Sequence, residues 1–139
     1  MLINYTTKEL DLMARLMRAE ALSDGNYGML CVGNVIVNRV LANCDVFKKL
    51  NTITKVINEK NAFTGTKNSL FQSSSTTKEK NLAKRCLKGE YFYPATHALW
   101  FYNPGKNECK KTWYNMPCSG SYKNHCFYIP TVNLCSKIR

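Results

Sequence analysis

The sequence predicts an α+β protein, mainly helical, with one helix buried through its middle and a small irregular β region towards its carboxyl end. Three observations carry this. Capping boxes stand at Thr6-Thr7-Lys8-Glu9 and Thr76-Thr77-Lys78-Glu79, each a Thr followed three residues later by a Glu that can return a hydrogen bond. Residues 27–42 are apolar on nearly every side. Eleven of the sixteen aromatic residues fall between Tyr91 and Tyr128. With 139 residues, 45% of them hydrophobic, the chain suits a single domain over 1–139 with one core.

The first helix is expected over residues 7–22. Tyr5 and Leu10 are spaced as a hydrophobic staple across its capping box, and Ser23-Asp24-Gly25-Asn26 follows as a turn. The β-branched content of 27–42 favours a strand, but a run of this length without a breaker exceeds the usual strand of about 3–10 residues. It is read as the buried helix. Its polar interruptions are Asn34 and Asn38, one turn apart on one face, and Arg39 near its end. Buried amides need partners, so this face either ties down neighbouring backbone or lines a wet cleft.

A short helix is expected over 53–58, and residues 61–75, rich in Asn, Ser, Thr and Gly, read as an extended loop carrying Phe63 and Phe71. The second capping box opens a helix with Leu82, Ala83, Cys86 and Leu87 inward, stopped by Gly89. Beyond it, short strands are predicted at 98–102 and 125–129, with a turn at Asn103-Pro104-Gly105. The aromatics here are too dense for the core of so small a lobe, so some should face a groove. Flat exposed rings suit the apolar faces of sugars or bases.

One acid stands out. Met17, Leu16 and Met13 lie three, four and seven residues before Glu20, so at about 3.6 residues per turn all four share a face. Desolvation there raises a carboxyl pKa, and a carboxylic acid kept protonated near neutrality is what glycosidic cleavage needs from a general acid. The competing reading places Glu20 at a frayed helix end, in water.

Twenty Lys and Arg against nine Asp and Glu give a net charge of +11, which favours an anionic partner such as nucleic acid, a membrane surface or a polyanionic wall. The basic residues form only short scattered clusters, so no nucleic-acid site is signalled. Residues 1–8 hold no apolar run, so no secretory signal peptide is expected. No stretch approaches the roughly 20 apolar residues of a membrane span. Of seven cysteines, Cys31 and Cys86 fit apolar helical patterns. Cys109, Cys118, Cys126 and Cys135, with His97 and His125, offer zinc-ligand types without paired C-x-x-C knuckles. Loop-stapling disulfides are the stronger reading, and no metal or cofactor is expected.

Several motifs appear in a fixed order: Arg18-Ala19-Glu20-Ala21, Gly33-Asn34-Val35-Ile36-Val37-Asn38-Arg39-Val40, Asn61-Ala62-Phe63-Thr64, Leu99-Trp100-Phe101-Tyr102-Asn103-Pro104 and His125-Cys126-Phe127-Tyr128. In that order the chain resembles the catalytic domain of the spore cortex-lytic hydrolases, the SleB/CwlJ family. Ala42-Asn43-Cys44 and Thr112-Trp113-Tyr114-Asn115 point towards the CwlJ branch. The resemblance implies a lysozyme-like fold and action on the glycan strands of spore-cortex peptidoglycan during germination. It places the catalytic acid on Glu20. For the SleB branch it implies lytic transglycosylation between N-acetylmuramic acid and N-acetylglucosamine, leaving an anhydro sugar. It also implies residence in the coat and cortex region of the spore, a spore-coat protein as a partner, and activation by calcium dipicolinate.

Hydrolysing glycosidases usually pair two carboxylates, about 5–9.5 Å apart. Here a second is hard to find: Asp24, the nearest by sequence, is expected to be solvated in its turn, and the other acids have capping or surface explanations. A single acid suits transglycosylation, in which the substrate's own hydroxyl is the nucleophile. Asn38, Thr64 and Asn103 are candidates to bind acetamido groups or orient the acid. Phe63, Trp100, Tyr102, Trp113 and Tyr128 are candidate stacking residues, and His125 is a candidate to bond a sugar or brace its loop. The alternatives are a hydrolytic muramidase or glucosaminidase, a non-catalytic coat module that binds glycan or a partner, and a cysteine-dependent amidase or peptidase using His97 or His125.

Overall fold

The computed structural model describes residues 2–135. Helix α1 (Thr7–Ala21) runs through a 3-10 turn (Leu22–Asp24) into α2 (Gly25–Leu41), and α3 (Ile53–Asn58) follows. A 3-10 turn (Thr64–Lys67), α4 (Ser69–Gln72) and α5 (Thr77–Leu87) lead to four strands: β1 (Trp100–Tyr102), β2 (Thr112–Trp113), β3 (Met116–Tyr122) and β4 (His125–Tyr128). The strands form one antiparallel sheet in the order β1-β4-β3-β2. No helix among the described residues is long and apolar enough to cross a membrane.

Both capping boxes form. In the first, Thr6 Oγ1 accepts from the Glu9 amide at 3.1 Å and Glu9 Oε1 accepts from the Thr6 amide at 3.1 Å. Glu9 Oε2 also accepts from the amide and hydroxyl of Thr54, at 3.0 and 2.9 Å, which fastens α3 to the start of α1. Helix α2 is buried from Gly28 to Val40, so it is the central helix and not a strand. Gly33 marks where α1 and α5 pass closest to it, since a Cβ there would lie 2.5 Å from Cys86 Sγ and 3.0 Å from Met17 Cε. The thiols of Cys31 and Cys86, neither of them in a disulfide, are buried in this core.

The two amides of α2 act on backbone. Asn34 donates to the Glu90 carbonyl at 2.9 Å and accepts from the Phe92 amide at 2.7 Å. Asn38, fully buried, donates towards the carbonyls of Ala95, Thr96 and Ala98 at 2.9–3.2 Å. Between them they hold the segment entering β1 against the central helix. Of the two readings of this face, tying down backbone is the one the structure adopts.

The stretch 61–75 departs from the expected extended loop, because it contains a 3-10 turn and α4. Local and distant bonds both explain it. Asn68 Oδ1 caps α4 by accepting from the Leu70 amide at 2.8 Å. From α1, buried Arg18 donates to the carbonyls of Leu70, Ser73 and Ser74 and to the Glu79 carboxylate at 2.6–3.2 Å. Composition shows neither.

Strands β2 and β3 were not expected. The β3 sequence Met-Pro-Cys-Ser-Gly-Ser-Tyr has no apolar alternation, and it pairs through an irregularity between Cys118 and Gly120. Disulfides join Cys44 to Cys135 and Cys109 to Cys126, which removes three of the four thiols of the zinc reading.

Gly33→Ala is predicted to destabilise the fold by about 1–3 kcal/mol through overpacking. Chemical denaturation should show a lower midpoint at unchanged slope.

Candidate active site

A cleft of about 540 Å³ opens where the last turn of α1, the end of α2, the 62–64 segment and the sheet meet. Glu20 stands in that last turn, partly buried. The carbonyls ending a helix carry partial negative charge, so this is an unfavourable place for a carboxylate. Burial is the main influence on Glu20 and pushes its pKa above the ordinary value of 4.5. Opposing it, in order, are the Gly65 amide, His125, the Thr64 hydroxyl and Arg39. The Gly65 amide donates to Oε2 at 3.2 Å and the Thr64 hydroxyl to Oε1 at 3.4 Å. The carboxyl is therefore gripped on both oxygens yet remains partly desolvated, which is the state a proton donor needs.

Gly65 permits that grip. A Cβ on it would lie 2.9 Å from Glu20 Cδ and 3.1 Å from Oε2. The amide can reach the carboxyl only because nothing stands between them.

His125 begins β4 and also lines the cleft. Its Nδ1 bonds Asp24 Oδ2 at 2.6 Å, and Asn124 Nδ2 donates to Asp24 Oδ1 at 2.7 Å. Asp24 is only 1% exposed, so the expectation of a solvated turn residue is corrected. The reason is local: Gly28 has no Cβ, and one would lie 2.2 Å from Asp24 Cβ. Both Asp24 oxygens have partners, and the carboxylate orients the imidazole. Among the described residues that line the cleft, Glu20 is the only acid.

Arg39 also lines the cleft and was not anticipated as a site residue. Its Nε donates to the Leu99 carbonyl at 2.7 Å, and its guanidinium lies 4.5 Å from the centre of the Phe63 ring. Burial lowers its pKa to about 10, which leaves it cationic at neutral pH. A lone cation ending an apolar helix was the available signal. Phe101 and Ala62 complete the wall, and the Phe101 ring meets His125 edge-on at 5.3 Å.

Seven of the residues singled out from the sequence come together here: Glu20, Phe63, Thr64, Tyr102, Asn103, Trp113 and His125. Tyr102 and Trp113 lie 4.9 Å apart. Asn103 Oδ1 accepts from the Gly105 amide at 2.8 Å, forming the expected turn. Three others lie outside the cleft lining. Asn38 is committed to backbone carbonyls in the core. Trp100 faces Phe47 at 5.9 Å in a second, smaller hydrophobic cluster. Tyr128 is fully buried; it stacks on Tyr102 at 5.6 Å and donates to the Lys110 carbonyl at 2.8 Å, supporting the wall from behind.

This mainly helical domain, with a curled four-stranded sheet and one partly desolvated acid in its cleft, belongs to the cell wall hydrolase family: the family profile described as Cell Wall Hydrolase matches residues 23–128. Within it the chain falls in the SleB/CwlJ group. It is 42% identical over 136 residues to the cell wall hydrolase CwlJ of Bacillus subtilis, covering 98% of this chain and 95% of that one. The CwlJ of Halalkalibacterium halodurans is 41% identical over 137 residues, with coverage of 98% and 95%. Among solved structures, the catalytic domain of Bacillus cereus SleB matches with a TM-score of 0.72 at 25% identity, over 90% of this chain and 92% of that one. The catalytic domain of the germination-specific lytic transglycosylase SleB of Bacillus anthracis matches the fold with a TM-score of 0.71 at 24% identity, over 90% and 97%.

Gly65→Ala should push the Glu20 carboxyl aside. The predicted result is a fall in peptidoglycan digestion on the order of a hundredfold, as expected for a misplacement of about 1 Å. The melting temperature should change little, because the displaced atoms end a flexible side chain.

Proposed function

We propose that residues 1–139 form one lytic transglycosylase domain acting on spore-cortex peptidoglycan during germination, with Glu20 as its general acid and base. The observation that carries this reading is the single carboxylate of the cleft, held with a raised pKa. Glu20 donates its proton to the glycosidic oxygen between N-acetylmuramic acid and N-acetylglucosamine as the bond to the anomeric carbon breaks. The muramyl 6-hydroxyl attacks that carbon, and the Glu20 carboxylate takes the hydroxyl proton. The products are a 1,6-anhydromuramyl end and a free N-acetylglucosamine end. No water is consumed, so no second carboxylate is needed to activate one.

The surrounding residues take matching roles. Thr64 and Gly65 orient the acid and hold the carboxylate between the two proton transfers. Arg39 balances the charge left when Glu20 has given up its proton. Phe63, Tyr102 and Trp113 offer faces to sugar rings, while Asn103 and His125 present polar groups to acetamido and hydroxyl substituents. The net charge of +11 suits the carboxylates of muramyl peptide stems. The likeness to a SleB described as germination-specific supports a spore location.

Mass spectrometry of cortex fragments tests the reaction. Wild-type protein should release anhydromuramyl ends, and Glu20→Gln should lower their yield by about 10²–10⁴-fold. Reducing muramic or glucosamine ends would instead indicate hydrolysis. Undiminished digestion by Glu20→Gln would remove Glu20 from the mechanism altogether.

The pH profile follows with its sign. The active form carries the Glu20 proton, so activity falls as pH rises through the raised pKa. The Thr64 hydroxyl favours the charged form. Thr64→Val should therefore raise the pKa further and move the alkaline limb of the rate profile to higher pH, while lowering its maximum.

A further inference from the structure

The turn joining β2 to β3 is two residues long, Tyr114-Asn115, and both have positive φ, +49° and +66°. Such hairpin turns favour Asn or Gly at the first position, because a side chain there meets its own backbone. A tyrosine is a poor choice for that conformation. Nor does it serve the core, since Tyr114 is 81% exposed. Neither turn chemistry nor burial accounts for this residue.

Its position does. The Tyr114 ring lies 5.3 Å from Trp113, tilted by 42°. Trp113 lines the cleft and lies 4.9 Å from Tyr102, which lines it too. Tyr102, Trp113 and Tyr114 thus form an unbroken row of rings from inside the cleft to open surface. The strained turn leaves the outermost ring exposed beside Trp113. Strained backbone of this kind tends to persist where a function maintains it. Exposed Lys110 and Lys111 precede the same hairpin.

From this row we infer that Tyr114 forms an outer sugar-binding subsite, stacking on a hexosamine of the glycan strand beyond the bond being cut. The inference rests on the proposed glycan-cleaving function. A polymeric substrate runs past the cleft, and the ring row continues from the cleft wall to meet it. A pyranose presents axial C–H groups on one face and suits a tyrosine face. The two lysines suit the stem carboxylates that flank it.

The test uses the full chain in the Glu20→Gln background, so that binding is read without cleavage. The probe is insoluble purified spore-cortex peptidoglycan in a sedimentation assay. Tyr114→Gly should weaken binding by about three- to tenfold, the range expected of one aromatic stacking contact, with a melting temperature equal to or above that of the parent. Tyr114→Phe, which keeps the ring face, should bind as the parent does. Equal binding by Tyr114→Gly and the parent overturns the subsite and leaves the proposed function standing. Failure of the parent itself to bind overturns both. A lower melting temperature for Tyr114→Gly would show that the tyrosine serves the fold, and would also overturn the subsite.

Discussion

Arg18 stands two residues before Glu20 on α1, with its guanidinium only slightly exposed, and almost all of its donors meet backbone carbonyls of residues 70–74. Its other bonds reach the Ser73 hydroxyl and Glu79, the residue that closes the second capping box. One buried cation thereby joins α1, the segment after α4 and the start of α5. A planar fork of five N–H donors satisfies several acceptors at once, which a lysine could not do. Phe63 seats the start of the 61–75 segment in the core, and this clamp, together with Arg15 on the Phe71 carbonyl and Asp11 on Ser75, fixes its far end. Thr64 and Gly65 belong to that segment. The grip on Glu20 depends on Arg18 at one remove.

The site is then an arrangement of opposing electrostatic effects. Burial, together with the negative end of α1, favours a neutral Glu20, while the Gly65 amide, His125, the Thr64 hydroxyl and Arg39 favour its anion. Burial outweighs the others, so the pKa is raised. That balance matches the chemistry proposed, in which the same group must lose a proton and regain one. Asp24 contributes through His125. By occupying Nδ1 it fixes the imidazole against the cleft and removes itself from direct chemistry.

Much of this was legible in the sequence where the signal is local. Two capping boxes set the starts of α1 and α5, and unbroken apolar content marked α2 as the central helix despite its β-branched residues. Glu20 stood out because its spacing conflicted with its polarity, while its expected catalytic role came from the family resemblance. What could not be read depends on contacts distant in sequence. Asn38 reads as a polar interruption of a buried helix and Asp24 as a turn residue, yet their partners, carbonyls some 60 residues away for one and a histidine 101 residues away for the other, are not visible in the sequence. Residues 116–122 lack the alternation of a strand and form one because β4 offers an edge. Gly65 follows Thr64 directly, but its role appears only when a Cβ is imagined against Glu20.

The central claim is that the fold keeps the Glu20 carboxyl partly desolvated, so that it retains a proton beyond the pH at which an ordinary glutamate loses one. A carbon-13 NMR titration of that carboxyl in the substrate-free protein, assigned by comparison with Glu20→Gln, measures this directly. The account predicts a midpoint above 4.5. A midpoint at or below that value would contradict it, because Glu20 would then titrate as an ordinary carboxylate.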